Sequence, residues 1–249
     1  MLRTVTASLA AALLAAAPVR VALDQSHQHW TAQLHRFVHG GQVDYAGWKN
    51  DQAQLDDYLR ELVRVNKEGF EKFSREQKLA FWINAYNAYT VRLIFDHYPV
   101  SSIRSIGLLP GAAFRRAFIP LLGEKLTLNE IENRLRQLSD PRIHFAIVCA
   151  SKSCPELRTE AYRADVLDQQ LDAAARGFLR DPAKNRWDPS SRTLKLSSIF
   201  KWYGEDFERA AGSMQAYVER YVDPAVRAAV KSGPVRIEFL DYDWSLNGR

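Results

Sequence analysis

Between Thr127 and Pro155 the chain places Glu132, His144, Cys149 and Cys154, and the two cysteines are the only ones it has. A thiol, an imidazole and a carboxylate are the parts of a cysteine-nucleophile triad, in which the imidazole takes the thiol proton and the acid orients the imidazole. The two acids nearby are distinguishable. Thr127 and Glu130 have the spacing of a capping box, which accounts for Glu130 as a solvated cap. Glu132 borders the apolar stripe Leu128, Ile131, Leu135, where capping does not account for it, and its ordinary alternative is a salt bridge to Arg134 or Arg136.

The run Arg142 to Cys149 is nearly continuous apolar and reads as a strand covered on both faces. Alternation along such a strand puts Cys149 with Phe145 and Ile147 on a core face and His144 on the other. Cys154 follows in Ser151-Lys152-Ser153-Cys154-Pro155, where Pro155 suits a first helical position and makes Cys154 the cap. A thiol at a helix start beside a lysine is expected to be accessible and acidic. The competing reading joins Cys149 to Cys154 in a disulfide, which an exporting compartment permits.

These groups need a scaffold. Ser74 and Gln77 form a capping box ahead of a helix that is apolar nearly all round from Leu79 to Phe95, the pattern of a central buried helix. Asn84 and Asn87 share one of its faces, and buried amides require partners, either neighbouring loop backbone or a ligand in a cavity. Upstream, Trp30, Leu34, Phe37 and Val38 mark an amphipathic helix stopped by Gly40-Gly41, and Leu55 to Val63 mark another. His35 and His39 lie one turn apart, yet no third zinc ligand is near, so neither a metal nor a cofactor is called for.

Downstream of Pro99 an irregular stretch to Lys125 has the length of a lid or binding loop. Within it Arg115 and Arg116, flanked by Phe114 and Phe118, are suited to a solvated loop or an anionic ligand. Leu167 to Phe178 reads as a helix ended by Asp181-Pro182, Arg186–Asp188 and Thr193–Leu196 as a hairpin, Ile199 to Tyr203 as a short aromatic helix, Tyr217 to Val230 as a longer one, and Val235 to Leu240 as a closing strand. Together these predict a mostly helical single α+β domain, its central buried helix packed on a small, largely antiparallel sheet.

With 249 residues, 47% apolar and 25% charged, the chain can bury a large core without metal or disulfide staples. Disordered and small disulfide-rich classes are excluded. Arg3 followed by an Ala- and Leu-rich segment reads as a secretory signal over residues 1–22, leaving 23–249 as the domain and the periplasm or the exterior as its place. Beyond residue 22, 32 basic side chains face 29 acidic ones, interspersed, which speaks against nucleic acid. No stretch is long and apolar enough for a transmembrane span.

Four motifs carry a family resemblance: Phe81-Trp82-Ile83-Asn84-Ala85-Tyr86-Asn87, Leu128-Asn129-Glu130-Ile131-Glu132, Arg142 through Cys149 to Pro155, and Tyr242-Asp243-Trp244-Ser245-Leu246-Asn247. Over roughly residues 43–247 the chain resembles the domain-of-unknown-function family 547. The resemblance implies an exported bacterial protein with plant relatives attached to other domains, and a likeness to papain-type thiol hydrolases. Two readings follow. In the first, a thiol hydrolase or acyl transferase acts on an amide or thioester of an envelope substrate, with Cys154 attacking (Cys149 its alternate), His144 exchanging the proton, Glu132 orienting it, and Asn84 and Asn87 lining the cleft. In the second, a noncatalytic domain binds an envelope partner, and the Cys149–Cys154 disulfide is structural.

Overall fold

The computed structural model describes residues 23–248, so the expected signal over residues 1–22 lies outside the described residues. The chain begins with α1 (Gln28–Phe37), the short hairpin β1 (Val38–His39) and β2 (Gln42–Val43), then α2 (Tyr45–Asn50), α3 (Ala53–Arg64), α4 (Lys67–Glu71) and α5 (Arg75–His97). Next come α6 (Ala112–Arg115), the hairpin β3 (Ile119–Leu121) and β4 (Glu124–Leu126), and α7 (Leu128–Gln137). After a 3-10 turn (Pro141–Phe145), the last third holds α8 (Leu167–Arg180), β5 (Arg186–Asp188), β6 (Thr193–Ser197), α9 (Ser198–Trp202), α10 (Gly204–Ala211), α11 (Met214–Val218), α12 (Pro224–Lys231) and β7 (Arg236–Leu240). It is a mostly helical α+β fold.

Both expected capping boxes are formed. The Gln77 N–H donates to Ser74 Oγ while Ser74 N–H donates to Gln77 Oε1, and Thr127 and Glu130 do the same at the start of α7. Each satisfies two amide donors that a helix start leaves open. From Leu79 to Phe95 every residue of α5 but Arg92 is buried. A helix that is apolar all round needs cover on every side, and α2, α3 and α7 supply most of it. The three-stranded sheet lies elsewhere. Its strand β6 pairs antiparallel with β5 and parallel with β7, and it packs in a second apolar cluster with α8 and the helices that follow it.

Two expectations about elements are corrected. The run Arg142–Cys149 is not a strand: Asp140 caps a 3-10 turn through the Arg142 N–H (3.1 Å) with Pro141 at its first position, and irregular backbone follows. Continuous burial made the run look like a two-faced strand, and burial alone does not distinguish the two. The expected long helix from Tyr217 to Val230 is broken into α11 and α12, with Pro224 starting the second, because proline cannot continue a helix through its own position.

The segment Pro141–Cys149 runs between the two apolar clusters. Ile143 and Ala146 belong to the α5 cluster and Phe145 to the other, where it stacks on Phe178 and Phe207. Its backbone has no sheet partner, and Asn87 provides one. The Asn87 Nδ2 donates to Ala146 O (2.9 Å), and Val148 N–H donates to Asn87 Oδ1 (2.8 Å). One helical turn earlier Asn84 treats another loop the same way, donating to Tyr162 O (2.7 Å) and accepting from Tyr162 N–H (3.0 Å). Both amides are therefore buried and bonded to loop backbone.

Leucine at either position removes two hydrogen bonds and strands a buried N–H and a buried carbonyl. Asn84→Leu and Asn87→Leu are each expected to lower unfolding stability by roughly 1 to 3 kcal/mol. The denaturant midpoint measures this, and an unchanged midpoint in either variant would mean that its amide is not holding the loop.

Candidate functional site

After Val148 the chain turns back on itself. Ala150 adopts a left-handed backbone (φ 59°), a conformation that costs a residue with a Cβ about 1 to 2 kcal/mol. A strap formed by the C-terminal residues holds the turn: Lys152 N–H donates to Ser245 O (2.9 Å), Ser153 N–H to Asp243 O (3.2 Å), and Asn247 N–H to Ala150 O (3.1 Å). The strap is itself anchored where Tyr45 OH donates to Asn247 Oδ1 (2.8 Å) and where Gly248 passes Val43. A Cβ on Gly248 would lie 1.9 Å from Val43 O, so only glycine fits there. The turn brings Cys149 and Cys154 together as a disulfide with Cα atoms 6.3 Å apart. That separation lies in the usual range.

The cysteines have the opposite exposures to those expected. Cys154 is buried and Cys149 is partly exposed. No helix starts at Pro155, so the helix-start argument for an acidic Cys154 does not apply. Other donors take its place. Cys149 N–H donates to Cys154 Sγ (2.9 Å) and Tyr242 OH donates to it as well (3.2 Å). Burial pushes the Tyr242 phenol well above its ordinary range, which keeps it a donor at neutral pH. Cys149 Sγ lies 3.1 Å from Ser151 Oγ and 3.4 Å from Tyr242 OH.

Both sulfurs line a cavity of about 200 Å³ together with His144, Glu132, Asn129 and an aromatic wall that includes Tyr86, Trp202, Tyr203 and Trp244. A larger cleft of about 330 Å³, bordered by Gly41, Glu156 and Gly177, has no thiol or imidazole in its wall. The smaller cavity therefore gathers the chemistry. Asn84 and Asn87 are not in its wall; they hold the backbone behind it.

His144 is buried and its ring stacks on Tyr203, with centroids 4.0 Å apart. Its Nε2 lies 2.9 Å from Asp206 Oδ2. An ionised carboxylate only accepts, so the Nε2 carries a hydrogen and donates it to Asp206. Asp206 is held in turn by Arg136, through Nε (2.7 Å) and Nη2 (3.1 Å), and by Arg209 (3.2 Å). The hydrogen bond from His144 and the Arg136 guanidinium hold the Asp206 carboxyl well below the usual carboxylate range.

Sequence reasoning placed Glu132 where Asp206 stands. Glu132 does line the cavity, where burial first, and then the Glu132 charge, raises the Tyr203 and Tyr86 phenols above their ordinary value. The salt bridges that were its ordinary alternative are not made, since Arg134 pairs with Glu124 (2.6 Å) and Arg136 with Asp206. Asp206 was missed because it lies in the first turn of α10, far along the chain from His144 and with no motif around it. The Cys154 N–H is spent on Ser151 O, and the side-chain donors in the cavity wall are Asn129, the tyrosines Tyr86, Tyr203 and Tyr242, and the tryptophans Trp202 and Trp244. Among the described residues no group of three or more His, Cys, Asp or Glu side chains is arranged to hold a metal ion. Likewise no described helix is long and apolar enough to cross a membrane.

Residues 70–179 match the family model described as "Protein of unknown function, DUF547", so the resemblance read from the motifs holds over that stretch. It covers α5, α7, His144 and both cysteines, while Asp206 and the strap lie beyond it. No curated protein and no solved structure matches the chain, and nothing in these comparisons supports the likeness to papain-type hydrolases.

Because the folded Asp206 has a depressed pKa, its stabilisation is present above the unfolded value of about 3.9 and is lost as the pH falls through the folded value. Asp206→Asn is therefore expected to cost roughly 1.5 to 3 kcal/mol at neutral pH, the range for hydrogen bonds to a charged group. The gap between variant and parent should narrow below about pH 4. Urea unfolding at pH 7 and pH 3 checks this, and an equal gap at both would contradict the charge assignment.

Proposed function

We propose that this DUF547 domain is a thiol-dependent hydrolase or acyl transferase of the cell envelope, and that the Cys149–Cys154 disulfide is its oxidised, inactive form. The observation that carries the reading is the line from Arg136 and Arg209 to Asp206 to His144, a residue that lines the same cavity as both cysteines, although in the disulfide form no hydrogen bond joins it to either sulfur. A histidine that only filled space would not need an ionised carboxylate fixed behind one nitrogen while it borders a cavity lined by two cysteines.

In the reduced protein, His144 Nδ1 takes the Cys154 proton, and the Cys149 N–H and Tyr242 OH stabilise the thiolate. The thiolate attacks the carbonyl carbon of an amide or thioester, and Asn129 and Tyr242 are among the cavity-wall donors that could receive the oxyanion. The imidazolium returns its proton to the leaving nitrogen or sulfur, and an acyl-Cys154 remains. Water, deprotonated by His144, or a second nucleophile then releases the acyl group and restores the thiol. Glu132, Tyr203 and the tryptophans form the wall against which a substrate lies.

A second reading rests on the disulfide itself: a noncatalytic binding domain braced by that bond. The two cysteines are only five positions apart. In the chain-entropy model so short a loop contributes about 2 kcal/mol. Reduction alone is accordingly expected to leave the domain folded, with an unfolding free energy lower by no more than that.

Thiol titration tests the catalytic reading. In Cys149→Ser the remaining Cys154 should ionise below the free value of about 8.5, as read by ultraviolet thiolate absorbance. Adding His144→Ala should raise that pKa by roughly 1 to 2 units. A Cys154 pKa at or above the free value, unmoved by His144→Ala, would leave the binding reading in possession of the site.

A further inference from the structure

We propose that the loop Gly107–Gly111 and the arginines beside it form a docking surface for an anionic phospholipid bilayer. The inference stands apart from the thiol chemistry, since it rests on exposure and charge outside the cavity. Leu108 is fully exposed (102%) and Leu109 largely so (66%). Single exposed leucines are ordinary, but two adjacent ones at the tip of one loop are not explained by the core.

The loop is built to hold them out. Gly107 (φ +90°) and Gly111 (φ +72°) take left-handed conformations at its two ends, and a Cβ on Gly107 would sit 2.7 Å from the Ala112 Cβ. Ala112 N–H closes the turn on Leu109 O (2.9 Å), and Arg115 Nη2 donates to Pro110 O (2.6 Å). That bond fixes a guanidinium at the neck of the leucines.

Charge supplies the choice of partner. From His97 to Gly123 the chain has Arg104, Arg115 and Arg116 and no acidic residue. All three arginines are exposed, and none makes an ion pair among the described residues, whereas Arg92, Arg134, Arg136 and Arg142 are all paired. Exposed leucines in a stretch whose only full charges are arginines suit a phase that offers hydrocarbon beneath a negative surface. The surface also reaches the cavity. Arg104 lies 5.1 Å over the Trp244 ring, and Trp244 meets Phe114 edge-on at 6.4 Å; both rings line the cavity that holds the cysteines. A domain docked by this loop therefore has its cavity at the edge of the bilayer contact.

Co-sedimentation of the full chain with vesicles tests the proposal, using phosphatidylcholine alone and phosphatidylcholine mixed with phosphatidylglycerol. The parent protein should partition onto the phosphatidylglycerol vesicles and release at high salt. The partition coefficient should fall by about tenfold in the double variant Leu108→Asp, Leu109→Asp and severalfold in Arg115→Glu, Arg116→Glu. The two leucines are exposed, so the thermal midpoint of the double-leucine variant should not move, and because every variant shares residues 1–22, a difference among them reports the loop. A double-leucine variant that binds within about twofold of the parent would overturn the proposal, as would equal binding to both vesicle types. So would a concentration-dependent dimer that the same variant abolishes while no vesicle binding is seen, because it assigns the loop to a second copy of the chain.

Discussion

Asn87 offers one donor and one acceptor to a stretch of buried backbone that has neither helix nor ladder of its own, and the site depends on that exchange. Ala146 O and Val148 N–H are the groups it satisfies, midway between His144 and Cys149. Without it the segment would have to become a strand or expose polar backbone to the core. Asn84 secures the Tyr162 loop one turn away, so two amides on one helix face fix two irregular segments against the central buried helix. His144 lines the cavity and packs on Tyr203 and Phe207, while its neighbour Phe145 is buried in the same aromatic cluster against Phe178 and Phe207.

The electrostatics are arranged on the same frame. Arg136 leaves α7 and Asp206 leaves α10, and they meet behind the imidazole; Arg136 also lies over the Tyr203 ring at 5.6 Å, on which His144 stacks. One guanidinium thus neutralises the acid and helps to position the aromatic partner of the base. The strap from Tyr242 to Gly248 closes the other side, carrying a phenol that points at Cys154 and a tryptophan that joins the cavity to the surface. Three parts of the chain distant in sequence have to be folded before the cavity exists.

What was legible in the sequence follows from which interactions are local. The capping boxes at Ser74 and Thr127, the all-round burial of α5 and the need of Asn84 and Asn87 for partners could all be read, because each is set by spacing within a few turns. The gathering of Glu132, His144 and both cysteines at one cavity was anticipated by their nearness in the chain. Other features were not legible. The partner of His144 comes from α10, the apparent strand at Arg142 is bonded by a side chain instead of a neighbouring strand, and the exposures of Cys149 and Cys154 are reversed by the turn at Ala150. Long-range pairing decides each of these, and no local periodicity encodes it.

The central claim is that the reduced cavity performs acyl chemistry on Cys154. Mass spectrometry after an acid quench reads this directly when the protein, with and without prior reduction, is exposed to a small acyl thioester. The account predicts an acyl adduct on Cys154 that forms faster than on free cysteine at the same pH, only in the reduced protein, and that fails to form in His144→Ala. An adduct on neither cysteine, or one that forms no faster than on free cysteine, would contradict it.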